Sequence, residues 1–204
     1  DGRLVGTSFF YRLLTMMARF AAVAGHEEDI PAYLEQAARV KDAYNRMFLN
    51  PETGQYANNT VSAGLLSLVQ GLVPDTLKQK VFDELVRRTE VDFDSHVSTG
   101  MIMMRGLSRY GRPDLALTLA TNRTYPSWGY MIDRGATTIW ELWNGDTADP
   151  AMNSGNHLMQ LGDLIAWDWE NLAGIQADPA APGFKHILMK PDFPQGLEWV
   201  DASY

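Results

Sequence analysis

Apolar residues recur at helical spacing over most of the chain. Residues 7–24 carry Phe9, Leu13, Met16 and Phe20 on one stripe and Phe10, Leu14, Met17 and Ala21 on the next. A helix apolar over so much of its circumference is predicted to be buried. Asp29, Ile30 and Pro31 resemble a helix start, because proline in the first turn gives up an N–H that would have no partner there. Tyr33, Ala37, Val40, Tyr44, Met47 and Phe48 then share one face, so the second helix is amphipathic and expected outside the first. Residues 50–54, Asn-Pro-Glu-Thr-Gly, form a turn. Thr60 can cap a short apolar helix that runs to Val69 and ends near Gly71.

Pro74 opens a fourth helix with Leu77, Val81 and Leu85 facing inward. Residues 98–110, with Met101, Ile102, Met104 and Leu107, read as another; Gly111 stops it and Pro113 starts a sixth, to Ala120. Residues 125–149 break the period with Pro126, Gly129, Gly135, Gly145 and several aromatic rings. A long irregular segment inside a helical domain is usually functional. Residues 156–173 read as a last helix, with Leu161, Leu164, Ile165, Trp167 and Leu172, ended by Gly174. Residues 176–183, rich in Ala and Pro, read as a linker, and residues 186–189 and 197–202 as short strands.

The pattern predicts a mainly α fold in which inner and outer helices alternate, followed by entry into a β domain within which the chain stops. The absence of a fixed repeat length fits part of an α/α toroid better than a tetratricopeptide array, whose pairs recur about every 34 residues. An open half-toroid leaves inner helices such as the first exposed on one side. The chain is therefore expected to self-associate or to be ordered beside the remainder of a parent enzyme.

Composition narrows the functional classes. Lys and Arg total 17 against 25 for Asp and Glu, a formal net charge of -8. That charge repels phosphate backbones and anionic lipid surfaces, so nucleic acid and membrane are not expected partners. Residues 1–4 carry no basic and apolar leader, and no apolar run approaches the roughly 20 residues that span a bilayer. The chain has no cysteine, which excludes disulfides, thiol nucleophiles and cysteine-ligated zinc while leaving the compartment open. Six Trp and eight Tyr in an acidic chain suit flat apolar platforms edged with hydrogen-bonding groups, as carbohydrate sites require.

Residues 135–146, Gly-Ala-Thr-Thr-Ile-Trp-Glu-Leu-Trp-Asn-Gly-Asp, place Glu141 between Trp140 and Trp143. Such a carboxylate is either a functional acid or base or a buried group bonded to backbone amides. This segment, with Tyr-Pro-Ser-Trp-Gly-Tyr-Met at 125–131 before it and Met-Asn-Ser-Gly-Asn-His at 152–157 after it, resembles the signature of glycoside hydrolase family 78, the α-L-rhamnosidases. His-Val-Ser-Thr-Gly at 96–100, the turn at 44–56 and Pro-Gly-Phe-Lys-His-Ile-Leu-Met-Lys-Pro at 182–191 also match that family, in the right order.

The resemblance implies the C-terminal half of an (α/α)6 barrel, a six-hairpin toroid, over residues 1–175. Residues 176–183 would be the linker, and 184–204 the first strands of a C-terminal β-sandwich. It implies an inverting hydrolase releasing terminal α-L-rhamnose from plant glycosides or polysaccharides, with Glu141 as the general base that activates water. The family's general acid lies in an acidic motif earlier in the barrel, which this chain does not contain, so the isolated chain is expected to be inactive. Inversion needs two carboxyl groups roughly 6.5 to 9.5 Å apart across the sugar, and Glu141 supplies one side.

Rhamnose carries a methyl group at C5, so its recognition calls for an apolar surface beside donors and acceptors. Trp128 and Trp140 are the substrate-binding candidates, with Trp143 weighed beside them and helix packing the competing role for each. His157 matches the family's active-site histidine and is expected to bond a sugar hydroxyl, or else to cap the following helix. His96, in a family motif, faces either sugar or scaffold. Asp133, Asp146 and Asp149 are read as turn or cap residues. No metal-ligand spacing, phosphate-cradling loop or nucleophile elbow occurs, so neither metal nor cofactor is expected. Two readings compete with the rhamnosidase: an α/α-toroid glycosidase for another sugar, and a non-catalytic helical scaffold that binds a glycan or a protein.

Overall fold

The computed structural model describes residues 2–91 and 97–203. The chain divides into two compact units, Asp1–Ser95 and His96–Tyr204. Among the described residues, no helix is long and apolar enough to cross a membrane.

The first unit is a set of helical hairpins. Helix α1 (Gly2–Ala24) packs on α2 (Ile30–Phe48), whose first turn holds Pro31. A two-stranded antiparallel ribbon follows, β1 (Leu49–Asn50) and β2 (Gln55–Tyr56). Asn50 closes its turn by accepting from the Glu52 and Thr53 amides through Oδ1, and Gly54 takes the positive φ (77°) that the turn requires. The Thr60 hydroxyl accepts from the Ala63 amide and so starts α3 (Val61–Val69). A single 3-10 turn (Asp75–Leu77) then leads into α4 (Lys78–Val91), which packs on α3. The core is built on Tyr44, Phe48, Tyr56, Leu65, Leu72, Val81 and Leu85, all buried. Its polar groups are satisfied: Tyr44 hydroxyl bonds Ser67, and Tyr56 hydroxyl donates to Asn45. Burial pushes the Tyr44 hydroxyl up to about 12.

Two expectations change here. Helix α1 begins at Gly2, before the expected start, and it is not buried all round. Leu4, Leu14, Ala18 and Ala21 are covered, whereas Phe9 is 48%, Leu13 57% and Phe20 56% exposed. The physical reason is that α2 and α3 cover one stripe only, so the second apolar stripe has no neighbour among the described residues of the first unit. On α2 the buried face is narrower than its periodicity indicates: Ala37, Tyr44 and Phe48 are inside, but Met47 is exposed.

In the second unit α5 (Val97–Arg109) packs against α6 (Pro113–Thr121) and α8 (Leu161–Trp167). Met103, Met104, Leu107 and Trp167 fill the interface, with Trp167 Nε1 donating to the Ser108 hydroxyl at 2.8 Å. Gly111 takes a φ of 88° at the end of α5, and Pro113 opens α6. The irregular stretch holds one element the period does not predict, α7 (Trp128–Asp133), started by the Ser127 hydroxyl accepting from the Tyr130 amide. The last helix begins as a 3-10 turn (Leu158–Gln160) and ends in a wide turn (Asp168–Leu172).

The end of the chain departs further from expectation. Strands β3 (Ile175–Ala177) and β4 (Ile187–Met189) pair antiparallel, with Gln176 opposite Leu188. Gln176 and Ala177 therefore lie in a strand rather than in a linker. Gly174 is required where β3 begins: a Cβ there would meet Pro191 N at 2.1 Å. Residues 197–202 form no strand, because no described segment offers them a partner ladder, and Phe193 and Trp199 stand in solvent.

Candidate functional site

The site grows from the irregular segment of the second unit. Helix α7 fixes its floor, and Gly129 allows that helix to lie close to the preceding loop. A Cβ at 129 would meet Asn122 O at 2.4 Å. Trp128 thereby packs edge-to-face on Trp143, ring centroids 5.6 Å apart, and both are 8% exposed. Ile139 is buried as well, so Ile139 and Trp143 anchor the stretch between them and hold Glu141 at the surface.

A second segment pairs with this one by backbone. His157 N donates to Ile139 O at 2.7 Å, and Glu141 N donates to Ser154 O at 2.9 Å. The Ser154 amide returns a bond to Glu141 Oε2 at 3.0 Å. Asn153 ties both sides together: its Oδ1 accepts from Leu142 N at 3.1 Å and its Nδ2 donates to Gly145 O at 3.4 Å. His157 Nδ1 sits 3.9 Å from Glu141 Oε2, an electrostatic contact rather than a hydrogen bond. The Glu141 side chain is 41% exposed and that of His157 25%. Glu141 Oε1 has no protein partner among the described residues, so one carboxylate oxygen is fixed and the other is open.

Glu141 and His157 are thus brought together. Trp140 is half-buried beside them, and Gly145 lies so close that a Cβ there would meet the indole at 2.7 Å. Trp128 is placed in packing rather than as an open platform, and its buried Nε1 has no hydrogen-bond partner among the described residues. His96 lies outside the described residues. Asp149 serves a turn, accepting from the Ala151 amide, whereas Asp133 and Asp146 form ion pairs with Arg123 and Arg134. No group of three metal-binding side chains occurs among the described residues.

Sequence reasoning missed two contributors, Asn153 and Ser154. Both stand in the Met-Asn-Ser-Gly-Asn-His run, where short polar residues next to glycine signal a loop that bonds backbone. Nothing in their spacing reveals that they meet Leu142 and Glu141. A third feature also escaped it: Tyr125, Tyr130, Arg134 and Asp146 form one cluster.

Residues 1–172 match the family model described as the bacterial alpha-L-rhamnosidase 6 hairpin glycosidase domain, and residues 174–204 match that of the bacterial alpha-L-rhamnosidase C-terminal domain. An alpha-L-rhamnosidase of Streptomyces avermitilis is 34% identical over 197 residues, 92% of this chain and 18% of that protein. Another from an Alteromonas species is 30% identical over 213 residues, 100% of this chain and 23% of that protein. The crystal structure of the Streptomyces avermitilis enzyme complexed with L-rhamnose superposes with a TM-score of 0.85 at 30% identity, covering 94% of this chain and 19% of that one. That of an alpha-L-rhamnosidase from Dictyoglumus thermophilum gives 0.81 at 31% identity, over 91% and 21%. The chain spans about a fifth of the length of these relatives. With a six-hairpin glycosidase model matched over most of its length, the chain belongs to the bacterial α-L-rhamnosidase family.

Proposed function

We propose that this chain supplies the general-base side of an inverting α-L-rhamnosidase site, with Glu141 taking the proton from the attacking water. The observation that carries the reading is the division of labour between the two carboxylate oxygens: Oε2 is held by the Ser154 amide while Oε1 is open. A base uses this arrangement, since the bonded oxygen fixes the direction of the carboxylate while the free one meets water. His157, beside the same carboxylate, is positioned to bond a sugar hydroxyl, and Trp140 offers the apolar surface that the C5 methyl calls for.

The general acid is assigned, as the family resemblance implies, to an acidic motif earlier in the barrel; near Glu141, Asp133 and Asp146 are engaged in ion pairs and Asp149 in a turn. The substrate class is a terminal α-L-rhamnoside, supported by the similar Streptomyces avermitilis enzyme solved with L-rhamnose. The open apolar stripe of α1 supports assembly with the remainder of a parent enzyme or with a second copy. Sedimentation of the isolated chain as a stable monomer at high concentration would contradict that.

The test is hydrolysis of an aryl α-L-rhamnoside by the enzyme that carries this chain, followed by NMR. Glu141→Gln should lower turnover by about 10² to 10⁴, and the sugar should appear first as the β anomer. Near-normal turnover in Glu141→Gln refutes the base, and a first product of α configuration refutes inversion.

A further inference from the structure

Beside the Glu141 segment lies a cluster of side chains that the general-base reading does not use. Tyr125 packs edge-to-face on Tyr130, centroids 5.2 Å apart, yet 56% of Tyr125 remains exposed. Arg134 lies over the Tyr130 ring at 5.4 Å, and its Nε is 3.1 Å from Asp146 Oδ2. Tyr130 hydroxyl donates to Asp146 Oδ1 at 3.4 Å. The two terminal nitrogens of Arg134 have no partner among the described residues, so the guanidinium is oriented by its inner edge and presents its outer edge to solvent. One aromatic ring is thereby braced but uncovered beside a fixed set of planar donors and acceptors, the combination that binds a sugar ring by stacking and its hydroxyls by hydrogen bonds.

The cluster is tied to the catalytic segment by backbone. Asp146 follows Gly145, whose amide donates to Leu142 O at 3.1 Å and whose carbonyl is held by Asn153. Glu141 and Asp146 are five residues apart, at most about 18 Å even in a fully extended chain, and the turn between them shortens that span. This lies within the reach of a short oligosaccharide whose terminal sugar is at Glu141. Asp146 already balances Arg134, so the cluster keeps no surplus positive charge to attract a ring bearing its own carboxylate, and a neutral ring fits it better.

We infer that Tyr125, with Arg134 and Asp146, forms the contact site for the neutral pyranose from which the terminal sugar is released. The inference rests on the rhamnosidase reading above and adds the leaving-group sugar to it. Tyr125 supplies the stacking face, and Arg134 and Asp146 bond vicinal hydroxyls.

The experiment compares wild type with Tyr125→Ala and Tyr125→Phe in the enzyme that carries this chain, on three substrates. These are methyl α-L-rhamnoside, which lacks the second ring, a rhamnosyl-glucose disaccharide and a rhamnosyl-glucuronate disaccharide. Tyr125→Ala should lower kcat/KM on rhamnosyl-glucose about tenfold more than on the methyl glycoside, and Tyr125→Phe should restore it, because stacking needs the ring and not the hydroxyl. Equal losses on both substrates would overturn the inference, as would no loss on the disaccharide. A wild-type preference for the glucuronate that disappears in Tyr125→Ala would overturn the neutral assignment. If wild type hydrolyses none of the three, the rhamnosidase reading falls on its own, and calorimetric titration with rhamnosyl-glucose decides the subsite. Weaker binding to Tyr125→Ala sustains it, and equal binding overturns it.

Discussion

Glu141 and Ser154 are bonded to each other twice, once through Glu141 N to Ser154 O and once through Ser154 N to Glu141 Oε2, although 13 residues separate them. The first bond fixes where the two segments meet, and the second fixes where the carboxylate points. Charge and position can therefore be separated experimentally. Glu141→Asp keeps the charge but shortens the side chain by one methylene, roughly 1.5 Å, so the carboxylate no longer spans to the Ser154 amide. Turnover of an aryl α-L-rhamnoside should fall by about 10², the usual consequence of a misplaced catalytic group, with little change in the unfolding midpoint. Full activity in Glu141→Asp would mean that the position set by Ser154 is immaterial.

Asn153 carries the second tie between these segments, accepting from Leu142 N and donating to Gly145 O. Asn153→Ala leaves both backbone groups without their partner, and each lost bond costs about 0.5 to 1.5 kcal/mol. The expected result is a lower thermal midpoint together with a lower kcat. Asn153→Asp, which keeps the acceptor for Leu142 and loses the donor, should fall between the two. Thermal unfolding and steady-state kinetics on the same three proteins check this, and wild-type kinetics in Asn153→Ala would contradict it.

Gly145 is required by contact rather than by conformation. A Cβ there would stand 2.7 Å from Trp140 Cγ and Cδ2, so Gly145→Ala must displace the indole. Forced overpacking of this kind costs about 1 to 3 kcal/mol. The Trp140 side chain, its indole and its Cβ at 2.8 Å alike, is the source of that cost, so Gly145→Ala should cost far less in a Trp140→Gly background, and the double-mutant cycle measures the coupling. Additive effects of the two substitutions would place the clash elsewhere.

Local signals in the sequence proved sound where a single residue controls a single backbone group. Thr60 caps α3, and Gly71 and Gly111 take positive φ near the ends of α3 and α5. Burial was harder to read, because it depends on neighbours the period does not name. The residues of α1 alternate in two apolar stripes, and only the arrangement of α2 and α3 decides that Leu14 is covered while Leu13 is not. The Ala- and Pro-rich composition after Gly174 hid strand β3, whose stability comes from pairing with β4 rather than from its own propensity. At the site, Glu141 stood out through its aromatic neighbours. Of those, Trp143 and Trp128 turned out to pack on each other, while Ser154, the residue that aims the carboxylate, acts through a backbone amide that leaves no trace in side-chain chemistry.

The first unit offers a prediction about acid stability. Glu84 on α4 accepts through Oε1 from Arg87 Nη2 at 2.7 Å, Asn59 Nδ2 at 2.9 Å and Gln55 Nε2 at 3.0 Å, and through Oε2 from Arg87 Nε at 2.7 Å. One carboxylate thus ties α4 to β2 and to the loop before α3. The Arg87 bonds, joined by those from Asn59 and Gln55, hold its carboxyl down to about 2 from an ordinary 4.5, against the opposing effect of burial. A folded-state value below the unfolded one means that the unfolded chain binds the proton more readily. The stabilisation is therefore complete above pH 4.5 and is lost as pH falls from there through about 2. Because Arg87 is 55% exposed, solvent screens part of the interaction, and Glu84→Gln is expected to lose only about 1 to 2 kcal/mol at neutral pH. Urea unfolding of wild type and Glu84→Gln between pH 7 and pH 3 checks the sign. The two stability curves should run parallel at first and converge below the ordinary carboxylate range, and a gap that stays constant down to pH 3 would show that the ionised carboxylate is not its source.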